Sequence, residues 1–368
     1  MAKRWFSMAL WVLGAGVIIG WIFSADSASE ESDRNAKAPA QTLEPAFPTN
    51  FTHSVEVKSA SKNTAIVAAA SDQHGNMYLL RWDYSAPKGM GACLQKFAPD
   101  GTLVNTISLT QEFWEPPVEA SDLAVGKEGT LYVAVSWPIR RGGLIALDEG
   151  GHPLVKLAFR DFIPLKLAVD DRGYVWVLGE EIDPIKAFLE RGYIPVNPKE
   201  GEQLRVYSPD LKHWVALVRG ERDGLFPSTL TSNGDEVVYY ASGTKVIRVF
   251  RQDRLVRKLM LPKLTPLAPP AGVSPDRFKK TRLITGVYKI GDRFLVTGVY
   301  HYRPMAGSGG LGIAQNFIAL VRADGEAASP EFEPPENAAI WDYADGHLIA
   351  FSSSRTKGTT IMKLKPTL

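Results

Sequence analysis

The sequence predicts an all-β fold: a six-bladed β-propeller, closed by an N-terminal strand and preceded by one apolar helix. Three observations predict it. Six hairpin turns recur along the 368 residues, with glycines at Gly75, Gly129, Gly173, Gly234, Gly291 and Gly346. A weaker hairpin follows most of them, so each unit offers four short strands, and four strands per unit at such a period is a propeller signature. The last unit lacks one strand, and an orphan strand precedes the first.

The clearest turn is LAVDDRGYVWVLGE, Leu167–Glu180. Apolar residues lead into Asp170-Asp171-Arg172-Gly173, and Tyr174–Leu178 is β-branched and aromatic. Related turns are SDQHGNMYLL, VGKEGTLYVA, TSNGDEVVYY, YKIGDRFLVT and DYADGHLIAF. Each glycine suits a hairpin position of positive φ, where a Cβ would clash. The second hairpins read KFAPDGTLVNTI, ALDEGGHPLVKL, VYSPDLKHWVAL, VFRQDRLVRKLM and VRADGEAASPEF. The final unit has only AAIWDYADG, HLIAFSSS and TTIMKLKP. A ring that does not pair its first and last units leaves an edge exposed. Thr52–Lys58, THSVEVK, is therefore expected to be the fourth strand of the final unit.

The pattern Asp-x-x-Gly-x-hydrophobic-Tyr/Trp, followed by an apolar strand that ends on Asp, resembles the NHL-type six-bladed propellers. VDDRGYVWVL with QLRVYSPD, and DQHGNMYLL with LQKFAPDG, carry the resemblance. It spans roughly Thr52 to the C-terminus and implies the fold. The family's Asn-x-Arg is matched only nearly, at Gln203-Leu204-Arg205, so no residue role is carried over.

The formal net charge of +2 gives no bulk attraction for nucleic acid, and no basic stripe interleaved with aromatics is present. One cysteine, Cys93, excludes an internal disulfide and reads as a small core residue. Lys3 and Arg4 precede the apolar run Trp5–Phe23, which is at the long end for a signal peptide and near the length of a spanning helix. The expected division is 1–23 as signal anchor or signal peptide, 24–50 as a disordered Ser/Ala/Pro/acid-rich tether, and 51–368 as the propeller. The basic N-terminus stays cytoplasmic, so the ring lies on the extracytoplasmic side, membrane-anchored, or alternatively periplasmic or secreted after cleavage.

In a propeller the turns of the first and third hairpin connections share one end. The strand 2–3 connections and the sheet-to-sheet connections share the other. Here the second set is long, and long loops on a rigid scaffold carry binding functions. Trp, Tyr and Arg are the types enriched at binding hot spots. The candidate partner-binding residues are Trp114, Trp137, Arg140, Arg141, Arg160, Tyr302 and Arg303. The candidate channel-mouth residues are Asp122, Lys166, Arg282 and Asn337. One carboxylate between two cations does not suit a metal, so no metal and no cofactor is expected. A short helix is expected in the Glu180–Gln203 insertion, starting at Asp183-Pro184. Gly307–Gly312 satisfies G-x-G-x-x-G, but a strand follows it, not a helix, which rejects a dinucleotide site. Lys279-Lys280 with Arg277 and Arg282 forms a small basic patch, solvated or able to touch lipid head groups. The expected function is a membrane-tethered binding scaffold that uses its long-loop face for an unknown protein or small ligand. The alternative is a lactonase- or lyase-like hydrolase at the channel mouth.

Overall fold

The computed structural model describes residues 51–57, 64–83, 91–109, 119–137, 141–159, 161–181, 202–219, 228–305, 312–344, 346–354 and 358–364. The segments expected to be an anchor (1–23), a tether (24–50) and a short insertion helix starting at Asp183 lie outside the described residues. Among the described residues no helix is long and apolar enough to cross a membrane.

The chain forms six antiparallel sheets. The N-terminal strand is β1 (Phe51–Val57). Sheet I holds β2 (Thr64–Ser71), β3 (Met77–Asp83), β4 (Ala92–Phe97) and β5 (Leu103–Ser108). Sheet II holds β6 (Glu119–Val125), β7 (Leu131–Trp137), β8 (Arg141–Leu147) and β9 (Pro153–Phe159). Sheet III holds β10 (Phe162–Val169), β11 (Val175–Glu181), β12 (Glu202–Tyr207) and β13 (Trp214–Arg219). Sheet IV holds β14 (Thr229–Asn233), β15 (Glu236–Ala241), β16 (Val246–Arg251) and β17 (Arg254–Met260). Sheet V has three strands, β18 (Phe278–Ile290), β19 (Arg293–Pro304) and β20 (Ile313–Arg322). Sheet VI is β21 (Ala339–Ala344), β22 (His347–Ser354), β23 (Gly358–Leu364) and then β1.

The N-terminal strand takes the expected place. It pairs antiparallel with β23, with Val55 opposite Ile361 and Ser54 opposite Met362. The turn glycines behave as expected too: all six have positive φ, from 58° at Gly291 to 81° at Gly173. The Asp of the repeat clamps its turn. Asp170 accepts from the N–H groups of Arg172 and Tyr174, both at 3.0 Å, and from Trp176 Nε1 at 3.3 Å. Asp72 does the same for His74, Asn76 and the Tyr78 hydroxyl. The aromatic two residues into the next strand is thus tied to the turn that precedes it.

The apolar core is split between the sheets. Buried residues cluster at each junction: I with II around Leu80 and Val133, II with III around Leu144 and Val177, III with IV around Trp176 and Tyr239. IV meets V around Val249 and Phe294, and V meets VI around Leu295 and Leu348. The last cluster joins VI to I, with Ile349, Phe351 and Ile361 against Met77, Leu79 and Phe97. Every sheet therefore packs on the next and the sixth packs on the first, which is a closed, propeller-type ring. Burying both faces of a sheet explains why β11 and β15 are largely apolar and buried rather than alternating, and why β12 is buried throughout although it carries Glu202, Gln203 and Arg205.

Two expectations need correction. The second hairpin of the fifth unit, VRADGEAASPEF, supplies no fourth strand; β20 ends at Arg322, and beyond it only the isolated bridges Val321–Ala327 and Ile318–Phe332 are made. The segment Ala-Ala-Ser-Pro lacks β-branched residues, and Pro330 has no N–H for a ladder. The chain turns inward instead, and Ser329 Oγ accepts the Leu320 N–H at 2.8 Å. The connections Leu261–Thr281 and Tyr300–Gln315 are shorter than expected, because β18 begins at Phe278 and β19 runs to Pro304.

Candidate functional site

The first strand of each sheet lines a central cavity of about 320 Å³. Five of these strands, all but β14, carry a bulge opposite their partner, just after Ile66, Ala120, Pro164, Ile284 and Ile340. A bulge re-aims the residues that follow it. In sheets II, III and VI the residue that follows is ionisable: Asp122, Lys166 and Asp342. All three line the cavity, with Thr285, Tyr288 and Trp341.

The two carboxylates act across sheet junctions. Asp122 Oδ2 accepts the Leu167 N–H of sheet III at 2.7 Å, and Lys166 Nζ lies 3.4 Å from its other oxygen. Asp342 Oδ2 accepts the Ser71 N–H of sheet I at 3.0 Å, and its Oδ1 accepts its neighbour Tyr343 N–H at 2.8 Å. Burial raises the Asp122 pKa, and Lys166 and the Leu167 N–H oppose that rise. Burial pushes Asp342 up to about 7; its N–H donors pull it down and the charge of Asp122 adds to the rise. Burial also raises Tyr288, with the charges of Asp342 and Asp122 reinforcing it. The cavity therefore holds a carboxyl that titrates near neutrality, a buried phenol and a carboxylate–ammonium pair. That set can exchange a proton or hold a small polar ligand.

Of the expected channel residues, Asp122 and Lys166 are in the cavity, while Arg282 and Asn337 are not among its lining. Arg282 lies on β18 and is drawn away by Glu331, with Nε to Oε1 at 2.8 Å and its flat face over Phe317. Asn337 sits in a 3-10 turn, Pro335–Asn337, and binds the start of β20: its Oδ1 accepts the Asn316 N–H at 2.6 Å and its Nδ2 donates to Ala314 O at 3.0 Å. Tyr302, expected on an open loop, is on β19 and 2% exposed, with its hydroxyl on Gln315 Oε1 at 3.1 Å. It is buried because β19 continues past the bulge and carries Tyr300 and Tyr302 onto the junction with sheet IV. Arg303 is the next residue of the same strand. Trp137 and Arg141 face each other as register partners at the ends of β7 and β8. Trp114, Arg140 and Arg160 lie outside the described residues.

Three site residues escaped the sequence reading. Asp342 is equivalent to Asp122 by its place after a bulge, but its hairpin turn is shorter, so it stands closer to Gly346 than Asp122 does to Gly129. Tyr288 reads as an ordinary core tyrosine. Glu331 lies in the segment expected to be a strand and loop, yet it holds Arg282, the Tyr300 hydroxyl and the Leu267 N–H together. Among the described residues no three His, Cys, Asp or Glu side chains are grouped as a metal site.

No family model matches the chain, and no curated protein matches it significantly. The resemblance to NHL-type repeats thus rests on the turn motifs alone. Solved structures do match. One is from a nidogen/laminin complex, at 11% identity, covering 75% of this chain and 82% of that one, TM-score 0.45. A luciferin-regenerating enzyme matches at 11% identity, covering 82% and 91%, TM-score 0.44. A protein described as a candidate gluconolactonase matches at 12% identity, covering 87% and 94%, TM-score 0.47. At these levels none assigns a substrate or partner, and the architecture rests on the pairing and packing described above.

Proposed function

We propose that the chain is a six-bladed propeller serving as a membrane-tethered, extracytoplasmic binding scaffold. Its partner, a protein or small ligand, engages the end that carries the long connections. One observation supports this most: the two ends of the ring are built differently. At one end the strands are joined by tight clamped turns such as Asp72–Gly75 and Asp170–Gly173. At the other end lie the connections 84–91, 182–201, 220–228 and 261–277 and the projecting hairpin of β18 and β19. Rigid rings with one elaborated end suit recognition. The run Trp5–Phe23 would hold the ring at the membrane, either as an anchor or until cleaved.

The test is site-specific photo-crosslinking in intact cells. A benzophenone amino acid replaces Arg277, exposed in the long-connection end, or Lys212, exposed in a tight turn at the other end. The reading expects a discrete adduct from position 277 and none from 212. Adducts from 212 alone, or none from either, would count against it. A second reading, a propeller hydrolase acting in the central channel, draws support from the grouping of Asp122, Lys166 and Asp342 in one cavity.

A further inference from the structure

The central cavity is reached from the tight-turn end. On the bulged strands its lining starts at or just past the bulge and runs toward the turn, over residues 69–73, 122–127, 166–171 and 341–344. None of the described residues before a bulge lines it, and there the strands carry buried Ala120, Ile284 and Ile340. Gln73, Lys127, Asp171 and Asn233, where the inner strands meet their turns, are exposed. The mouth therefore faces away from the long connections.

The cavity carries an excess of negative charge. Five aspartates line it against two lysines, Lys127 and Lys166. Lys166 lies beside Asp122, and Arg172 pairs with Asp170 at 2.8 Å. Asp342, at the deep end, has only N–H donors; no cation among the described residues acts on it, and the charge that does, Asp122, has the same sign. Around it sheet I offers Ser71, sheet II Asp122, sheet III Lys166, sheet IV Thr229 and sheet V Tyr288. Two of these groups are unsatisfied. Oγ of Ser71, the residue whose N–H binds Asp342, is buried with no hydrogen-bond partner, and so is Oγ1 of Thr229, a residue 4% exposed. Buried hydroxyls in this state cost stability until a partner arrives.

A cleft of one sign with low-dielectric walls concentrates the opposite charge. The group that answers this cavity is a cation that also donates hydrogen bonds. Among the described residues no three His, Cys, Asp or Glu side chains are grouped to hold a metal ion. An ammonium needs one carboxylate and takes hydroxyl oxygens as further acceptors. We propose that the cavity binds a small organic amine that enters through the tight-turn end, with its ammonium on Asp342 beside Ser71 Oγ and a second polar group toward the Thr229 hydroxyl across the channel. The Asp342 carboxyl, which titrates at about 7, releases its proton as the ammonium arrives. This assigns a ligand to the cavity and does not depend on the scaffold reading, whose partner engages the other end.

The test is equilibrium dialysis of the full-length chain in detergent against radiolabelled putrescine, with butanediol and calcium as competitors. At pH 8 one amine should bind per chain and resist both competitors. Its affinity should fall roughly tenfold per unit as pH drops from 7 to 5, because the ligand then has to displace a proton. Asp342→Asn, which keeps an acceptor for the Ser71 N–H, should lose roughly tenfold in affinity and the pH dependence with it. Lys127→Glu at the mouth should bind more tightly, a change that misfolding does not produce. In a Cys93→Ala chain, a bulky maleimide on Gln73→Cys should slow release of the bound label, and the same group on Arg277→Cys should not. No saturable binding at pH 8, displacement by butanediol or calcium, unchanged affinity in Asp342→Asn, or an obstruction from position 277 and not from 73 overturns the proposal.

Discussion

Asp342 lies at the junction where the last sheet meets the first, and its chemistry follows from that position. Its carboxyl titrates near 7 in the folded chain against 3.8 ordinarily. The folded chain therefore keeps a proton that the unfolded chain has released. The sign follows: the stability linked to this group is complete below about pH 4, falls as pH rises toward 7 by about 1.4 kcal/mol per unit, and then levels off. Asp342→Asn keeps an oxygen to accept the Ser71 N–H and removes the ionisation. Chemical unfolding between pH 4 and 8 should show the variant losing less stability than the parent across this range, with a gain on the order of a few kcal/mol at pH 8. Parallel curves for the two proteins would mean that Asp342 is not held protonated. The residue was hidden in the sequence for a plain reason. Its shortened turn breaks the spacing that marks Asp122 and Lys166, and only the backbone bulges reveal that the three positions correspond.

The hairpins show how turn chemistry was readable and where it was incomplete. Six glycines announced six turns, and each has the positive φ that only glycine adopts without strain. The β16–β17 turn reaches the same geometry without glycine: Gln252 has φ 51° and Asp253 has φ 63°. Two consecutive left-handed residues form the tight turn that Asn-Gly satisfies best. Gln252→Asn with Asp253→Gly should raise stability by about 1 kcal/mol in equilibrium unfolding. Any loss would show that the two side chains are needed there. The projecting hairpin of sheet V was not readable in the same way. Phe278-Lys279-Lys280-Thr281-Arg282 has no apolar alternation and looks like linker. It becomes strand because Tyr300 and Tyr302 lie opposite Arg282 and Lys280 and give the long side chains an aromatic surface. The missing fourth strand beside it follows from Pro330, a signal that was present but outweighed by the regularity of the repeat.

At the scale of the whole chain, stability is distributed over junctions rather than collected in one core. Each junction has its own apolar cluster. Polar ties add to several of them: Thr231 Oγ1 donates to Val287 O at 2.6 Å, the Tyr239 hydroxyl donates to Glu202 Oε1 at 2.6 Å, and the Asp171 N–H donates to Gly234 O at 3.0 Å. The architecture was legible because it repeats: the same turn and strand chemistry recurs from unit to unit. The cavity was only half legible, since Asp122 and Lys166 obey the repeat while Asp342 and Tyr288 depend on how the circle closes. A partner is not legible at all in a repeat pattern, because recognition rests on the connections in which the units differ.

The closure itself can be measured with a pair of engineered cysteines. Val55 and Ile361 are register partners across β1 and β23, as are Ser54 and Met362. One of these adjacent pairs is the closer, non-hydrogen-bonded kind, with Cα atoms near 4.5–5.5 Å, within disulfide reach. With Cys93 replaced by Ala, mild oxidation of the two double-cysteine proteins should produce an intramolecular disulfide in at least one of them, joining peptides more than 300 residues apart in the sequence. Only intermolecular links, or free thiols in both proteins, would contradict a ring sewn shut by its own first strand.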